Sequence, residues 1–322
     1  MSEMRWHPIL GQWVIAATHR QDRTYKPPAN QCPLCPTMPG SAPTEIPFPD
    51  FDIAVFQNKF PSLRLDAAQP DVAGTRLYPV RKAEGVCEVV VYTPQHNENL
   101  GTVPAAKVRH LIDVWADRYA ELGALKEVSY VMIFENRGEA AGVTLHHPHG
   151  QIYAYPFVPP VPERQLEQAA AHRKKTGRCL FCDIINTEQQ DGRRIVWENG
   201  EMIAFVPFFA RFPFEVHIYP KRHVASLPML QADERVSLAA GLQQVIRRLD
   251  GLFAAPMPYM MAMYQQPTDD GEYPHCHYHV EFLPLGRAAN KLKFLAGSES
   301  AAGAFITDMS AEDQASRLVQ AL

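Results

Sequence analysis

Two Cys-x-x-Cys pairs, Cys32/Cys35 and Cys179/Cys182, each open a stretch whose later landmarks recur in the same order, so the chain is one structural plan used twice. The first half runs through Glu88-Val-Val-Val-Tyr92 to His96 and the second through Glu215-Val-His-Ile-Tyr219 to His223, each glutamate standing eight positions before its histidine. An amphipathic helix is expected after each histidine. Val108, Leu111, Ile112, Trp115 and Tyr119 make one apolar stripe, and Val236, Leu242, Ile246 and Leu249 the other. Strands are expected next, over Tyr130 to Phe134 and Tyr259 to Tyr264, both rich in bulky residues that suit a pleated surface. Histidine clusters close the copies: His147-Pro-His149-Gly-Gln151 in the first and His275-Cys-His277-Tyr-His279 in the second. Each runs on into strand-like sequence, Ile152 to Tyr155 and Val280 to Leu283.

The copies differ where the first carries extra sequence from about Arg64 to Gly85, read as loop and hairpin from its Pro70, Gly74 and Pro79. Pro159, Pro160 and Pro162 open a link that ends in a polar helical stretch. The sequence therefore divides into modules 1–160 and 161–322, a size at which two modules are the ordinary expectation. Charge narrows the function. The formal net charge is −4 and no block of lysine and arginine stands out, so the footprint of a nucleic-acid or membrane-surface protein is missing. Gly11 and Gln12 interrupt the apolar stretch near the start, and nowhere do about 18 apolar residues run together. The expected location is the cytoplasm, with neither signal peptide nor membrane span.

In a cytosolic chain, thiols paired at this spacing read as metal ligands before disulfides. Zn2+ takes four soft or borderline donors in a tetrahedron, and distant histidines commonly complete a Cys-x-x-Cys knuckle. Matching landmarks between copies predicts Cys32, Cys35, His96 and His147 for one site, and Cys179, Cys182, His223 and His275 for the other. Both sets are full, so both read as structural. Cys87 and Cys276 have no partner at a ligand spacing and are expected in the core.

His-Pro-His-Gly-Gln supplies what attack on a phosphoryl group needs. His149 sits two places beyond a proposed metal ligand, on a strand-like segment anchored by it. Its imidazole, with an ordinary pKa near about 6.5, is largely neutral at physiological pH and has one nitrogen free to attack. The other nitrogen can donate to a backbone carbonyl. Gly150 is expected to leave room for a phosphate beside the backbone, and the Gln151 amide to donate to a phosphate oxygen without adding charge.

With these motifs in place, the sequence resembles the galactose-1-phosphate uridylyltransferase family, a branch of the histidine-triad superfamily, along nearly its whole length. Arg5-Trp-His-Pro to Trp13-Val-Ile and His19-Arg20-Gln-Asp-Arg23 resemble the family's start, where two arginines approach the nucleotide phosphates. Phe56-Gln-Asn58-Lys-Phe-Pro resembles its phosphate loop. Glu135-Asn136-Arg-Gly138 leads through Gly142-Val-Thr144 to the pentapeptide, and Lys293-Phe294-Leu-Ala296-Gly-Ser-Glu299 resembles a segment that contacts sugar and phosphate, often in the partner subunit's site.

The resemblance implies an α+β fold of two tandem histidine-triad-like modules, mainly antiparallel sheets with flanking helices, assembled as a homodimer. It implies that UMP passes from UDP-glucose to galactose 1-phosphate through a uridylyl-His149 intermediate, with Gln151 assisting. Arg20, Arg23, Asn58, Asn136, Gly142, Thr144, Lys293, Phe294 and Glu299 are then substrate-binding residues, UDP-hexose and hexose 1-phosphate the ligands, and zinc the metal. Two positions depart from the family pattern. A glutamate that binds a second metal in well-studied members falls near Gln165, with Glu163 close by, and Thr144-Leu-His-His147 replaces the usual Ser-Asn-Pro-His. Two alternatives stay open: a nucleotide-sugar phosphorylase or hydrolase of the same superfamily, and a zinc-stabilised binding module without catalysis.

Overall fold

Residues 86–91, Val-Cys-Glu-Val-Val-Val, offer water almost nothing, and such a run is stable only in the middle of a sheet covered on both faces. In the computed structural model, which describes residues 2–22, 26–253 and 255–322, all six are buried. The first half contains β1 (Ser2–His7), β2 (Gln12–Ala17), β3 (Ala54–Gln57), β4 (Val80–Lys82), β5 (Val86–Val91), α1 (Ala105–Gly123), β6 (Tyr130–Arg137) and β7 (His149–Tyr155). Then follow α2 (Pro160–Thr176), α3 (Leu180–Asp191), β8 (Ile195–Glu198), β9 (Met202–Phe205), β10 (Val216–Pro220), α4 (Ala232–Gly251), β11 (Tyr259–Tyr264) and β12 (His279–Pro284). A hairpin of β13 (Gly286–Ala288) and β14 (Lys291–Leu292), a short α5 (Gly297–Ser300) and α6 (Ala311–Gln320) close the chain.

One nine-stranded antiparallel sheet, in the order β3-β5-β7-β6-β11-β12-β10-β9-β8, runs through both halves. The halves meet where β6 pairs with β11, Phe134 opposite Ala262. The expected α+β class holds, and the two halves share one sheet and a hydrophobic cluster that runs through both. Helices α1 and α4 cover the same face. From α1, Val108, Leu111, Ile112, Trp115 and Tyr119 are buried, as the stripe requires. In α4 the buried residues include Leu238, Leu242, Val245, Ile246 and Leu249, while Val236 is 57% exposed and is not part of the stripe. Gln243 Nε2 of α4 donates to the carbonyls of Leu100 and Val103, and Arg137 of β6 holds Asp250 with two parallel bonds of 2.9 Å, so polar contacts also tie the halves.

The segment from Arg64 to Gly85 is mostly irregular, but its end forms β4, which pairs with β1 in a small separate sheet. Cys87 and Cys276 are buried as expected. Among the described residues no helix is long and apolar enough to cross a membrane.

Candidate active site and metal centres

Strand β7 lies between β5 and β6, and its side chains alternate strictly: Gly150, Ile152 and Ala154 are buried against the helices, while His149, Gln151, Tyr153 and Tyr155 face the other way. That open face borders a cavity of about 220 Å3. His149 and Gln151 line it together with Arg20, Asn58, Asn136, Gly142 and Thr144, residues gathered from five separate segments. Lys293, Phe294 and Glu299 do not line it. Phe294 is 77% exposed, and Lys293 Nζ bonds Glu299 at 2.9 Å. Arg23 lies outside the described residues.

Within the cavity the polar groups have defined duties. His149 Nδ1 donates to the His147 carbonyl at 2.8 Å, which fixes the tautomer and leaves Nε2 as the nitrogen with a free lone pair. Burial pushes its pKa down, partly offset by that bond, so the ring stays neutral. Asn58 Oδ1 accepts from the Phe60 N–H at 2.9 Å, leaving its amide nitrogen to donate elsewhere. Arg20 Nη1 donates to the Tyr153 hydroxyl at 3.0 Å and toward the Phe60 carbonyl at 3.4 Å.

Gly150 departs from expectation. Its missing side chain faces the helices, and a Cβ there would collide with the buried Tyr92 hydroxyl and stand 3.1 Å from the Phe134 carbonyl. The space serves tyrosine packing rather than a phosphate. Gly150→Ala is therefore expected to destabilise the fold by about 1–3 kcal/mol and to lower activity, because His149 and Gln151 flank the displaced backbone. Thermal melts and kcat of the variant check this, and wild-type values in both would refute it.

Cys32, Cys35, His96 and His147 place their donor atoms within 4.8 Å of one another. Cys35 Sγ is 3.4 Å from Nδ1 of both His96 and His147. A zinc tetrahedron with Zn–S of about 2.3 Å and Zn–N of about 2.0 Å sets sulfur and nitrogen about 3.5 Å apart, so these donors fit the ion. His147 Nε2 donates to the Thr93 carbonyl at 2.8 Å, the outer bond that orients a metal-binding imidazole. Burial and the adjacent Cys32 push the Cys35 thiol up to about 11, so two thiolates side by side here require a cation.

The second group corrects the sequence reading. It consists of Cys179, Cys182, His223 and His277, not His275. Cys182 Sγ stands 3.8 Å from His223 Nδ1 and 3.6 Å from His277 Nδ1, and His277 Nε2 donates to the Pro220 carbonyl at 2.9 Å. His275 precedes the strand and turns instead to the Tyr273 ring, 5.9 Å between centroids. The reason is register. Gln151 lies opposite Phe134 and Glu281 opposite Ala262 at the junction of the halves, so His147/His149/Gln151 corresponds to His277/His279/Glu281.

By that correspondence His279 is the counterpart of His149, down to the same bond from Nδ1 to the carbonyl two residues back, at 2.9 Å. Its surroundings are closed. The ring is 2% exposed, stacked on Tyr264 and packed against Phe181 and Tyr219. Beneath it Glu215, His217 and Glu281 form a third group of close donors. These are already engaged: His217 Nε2 donates to Glu215 at 2.9 Å, Arg211 Nη2 to Glu281 at 3.2 Å and Gln165 Nε2 to Glu281 at 2.9 Å. Burial works against the His217 imidazolium, but the charge of Glu281 and the bond to Glu215 outweigh it and raise its pKa. Two carboxylates thus balance Arg211 and His217. Gln165, where the resemblance expects a metal-binding glutamate, presents an amide N–H, so this group does not fit a metal.

Sequence reasoning missed Tyr153, Phe56, Lys59, Leu34 and Phe134, all of which line the cavity. Tyr153 was within reach, being two places beyond Gln151 on an alternating strand.

Comparison with known proteins agrees along the whole chain. A family model described as galactose-1-phosphate uridyl transferase, N-terminal domain, matches residues 1–159, and the corresponding C-terminal domain model matches 164–322. The galactose-1-phosphate uridylyltransferase of Thermotoga maritima is 39% identical over 99% of this chain and 98% of its own. That of Rattus norvegicus is 32% identical over 98% of this chain and 86% of its own. A solved uridylyltransferase superposes with a TM-score of 0.87 at 33% identity, covering 99% of this chain and 98% of that one. An ADP-glucose phosphorylase from Arabidopsis thaliana, at a TM-score of 0.75 and 23% identity, shares the fold.

Proposed function

The chain belongs to the galactose-1-phosphate uridylyltransferase family, and from that premise we propose that His149 carries the UMP group it transfers from UDP-glucose to galactose 1-phosphate. As a family member it is a nucleotidyltransferase of galactose metabolism. The observation that carries the assignment to this residue is the single bond from His149 Nδ1 to the His147 carbonyl, which leaves Nε2 lone-paired on the wall of the cavity. In the first half-reaction Nε2 attacks the α-phosphorus of UDP-glucose; the N–P bond forms, the P–O bond to the departing group breaks, and glucose 1-phosphate leaves. In the second a phosphate oxygen of galactose 1-phosphate attacks the same phosphorus and the N–P bond breaks, giving UDP-galactose.

Charge on the transferring phosphoryl group is met by Arg20 and Asn58, each already held by hydrogen bonds, and by the amide of Gln151 on the same cavity wall. Arg23 belongs to the same set by resemblance, and Asn136, Gly142 and Thr144 complete the wall. His279 is not a second nucleophile in this reading: the same imidazole geometry there is sealed under aromatic rings. Zn2+ in the Cys32/Cys35/His96/His147 set would anchor the backbone two residues before the nucleophile, and a second Zn2+ in Cys179/Cys182/His223/His277 would pin the other module. Modules 1–160 and 161–322 are then two copies of one unit. Lys293, Phe294 and Glu299, being outside the cavity of their own chain, are read as a segment offered to the site of a second copy in a cytoplasmic homodimer.

The rival is a phosphorylase or hydrolase, which would resolve the adduct with phosphate or water. Gln151 argues against the hydrolase, since an amide at this position donates to phosphate but cannot act as a general base toward water, whereas inorganic phosphate needs no base and is separated by experiment. Incubation of the protein with UDP-glucose and either galactose 1-phosphate or inorganic phosphate is expected to give UDP-galactose in the first case and no UDP in the second. UDP formed from phosphate alone, at a comparable rate, would move the assignment to the phosphorylase.

A further inference from the structure

Strand β7 turns four side chains to its open face, three of which line the cavity, and only two of those three have a role in the transfer as described. The third is Tyr153. One residue separates His149 from Gln151 and one more separates Gln151 from Tyr153, so all three project from one rigid, doubly paired strand into one cavity. The Tyr153 hydroxyl accepts the Arg20 Nη1 bond at 3.0 Å, and the same nitrogen points at the Phe60 carbonyl at 3.4 Å. Phe60 follows Asn58 in the phosphate loop. Arg20 itself stands on a single turn of 3-10 helix, Thr18–Asp22, a mounting too short to aim a long flexible side chain unaided. Its aim comes from elsewhere.

We propose that Tyr153 is a positioning residue for the transfer: its phenol holds the Arg20 guanidinium in a fixed relation to His149 and Gln151, through the strand all three share. The ring is itself immobilised, edge-on to Phe134 at 5.1 Å and against Tyr155 at 5.9 Å. Burial raises the phenol pKa, so the hydroxyl stays neutral and acts as an acceptor for Arg20 across the working range. An arginine left to wander among rotamers would have to be ordered at each binding event, and fixing it beforehand removes that cost. This inference rests on reading the cavity as a nucleotide phosphate site.

The test compares a ligand that has a phosphate with one that lacks it. Tyr153→Phe keeps the ring and its packing, so the variant should melt close to wild type. Its Kd for UMP is expected to rise about tenfold, as suits loss of one bond to a charged group, while its Kd for uridine stays within about twofold. Arg20→Ala should weaken UMP at least as much, and Tyr153→Phe added to Arg20→Ala should add nothing beyond about twofold, because the phenol acts only through the guanidinium. Arg20→Lys, which leaves the ring cluster untouched, should show the same loss confined to UMP, since an ammonium cannot reproduce the planar fork.

Unchanged UMP binding in Tyr153→Phe, equal weakening of uridine and UMP, or additive losses in the double variant would each overturn the proposal. If the wild-type protein binds UMP no better than uridine, the phosphate-site reading falls and this inference falls with it. If wild type discriminates and Tyr153→Phe discriminates equally well, only the inference fails.

Discussion

His149→Ala is expected to lose turnover by at least about four powers of ten while binding UDP-glucose within a few-fold of wild type. The loss is large because the variant lacks the atom that forms the N–P bond, and no other imidazole lines the cavity. His147 is committed at both ring nitrogens, one beside Cys35 and one donating to Thr93. His279 is enclosed. Binding survives because Arg20, Asn58 and Gln151 remain on their own supports. A single turnover separates chemistry from everything downstream: wild type mixed with UDP-glucose alone should release one glucose 1-phosphate per subunit and keep an acid-labile uridylyl group, and the variant should do neither. A burst of glucose 1-phosphate from the variant would place the nucleophile elsewhere. Retained turnover with no adduct in either protein would point to direct transfer between the two sugar phosphates.

Much of this arrangement is readable from sequence because a repeat supplies its own control. The strand-helix-strand order, the burial of Trp115 and Tyr119 and the grouping of Cys32, Cys35, His96 and His147 all follow from periodicity and from matching landmarks. The errors have separate physical causes. His275 was matched to His147 by order of appearance within the cluster, whereas the sheet matches residues by register, and one extra histidine before the strand shifts the count by two. Val236, two residues before Leu238 and six before Leu242, falls on the opposite side of α4 from the buried stripe and is 57% exposed, although its neighbours Glu234 and Ser237 are already buried. Gly150 sits beside a nucleophile, which suggests a ligand, yet strand alternation sends it to the other face, against Tyr92. The cavity's apolar wall could not be foreseen because it joins Leu34 of the first knuckle to Phe56 and Phe134, residues brought together only by the sheet order. The choice of uridine and galactose came from resemblance, since spacing carries no information about a base or a sugar.

The metal centres give the second large effect, and the corrected ligand set makes it specific. Purified protein is expected to hold two zinc ions per chain. His277→Ala should reduce this to about one and His275→Ala should leave it at two, since of these two residues it is His277 that brings a ring nitrogen to Cys182, at 3.6 Å. Cys35→Ala removes the donor that contacts both histidines of the first knuckle and leaves Cys32, 3% exposed, with the buried His147 and the half-buried His96. Because structural zinc in small knuckles contributes on the order of 10 kcal/mol or more to folding, either cysteine loss is large compared with the stability of an ordinary domain. The two knuckles should nevertheless differ in what they take down first. The Cys35 site adjoins Leu34 and Leu145 on the cavity wall and holds the backbone that precedes His149, so Cys35→Ala should abolish adduct formation even where the helices still form. The Cys182 site instead packs with Phe181, Ile203 and Tyr219, far along the sheet order from β7, so Cys182→Ala should lower the melting temperature more than it lowers single-turnover yield in the folded fraction. Circular dichroism melts, metal stoichiometry and adduct yield on the same samples read all three quantities. Activity lost from the Cys35 variant with the melt and the metal count both intact would mean that the thiol, not an ion, does the work there, and the structural assignment of that centre would be wrong.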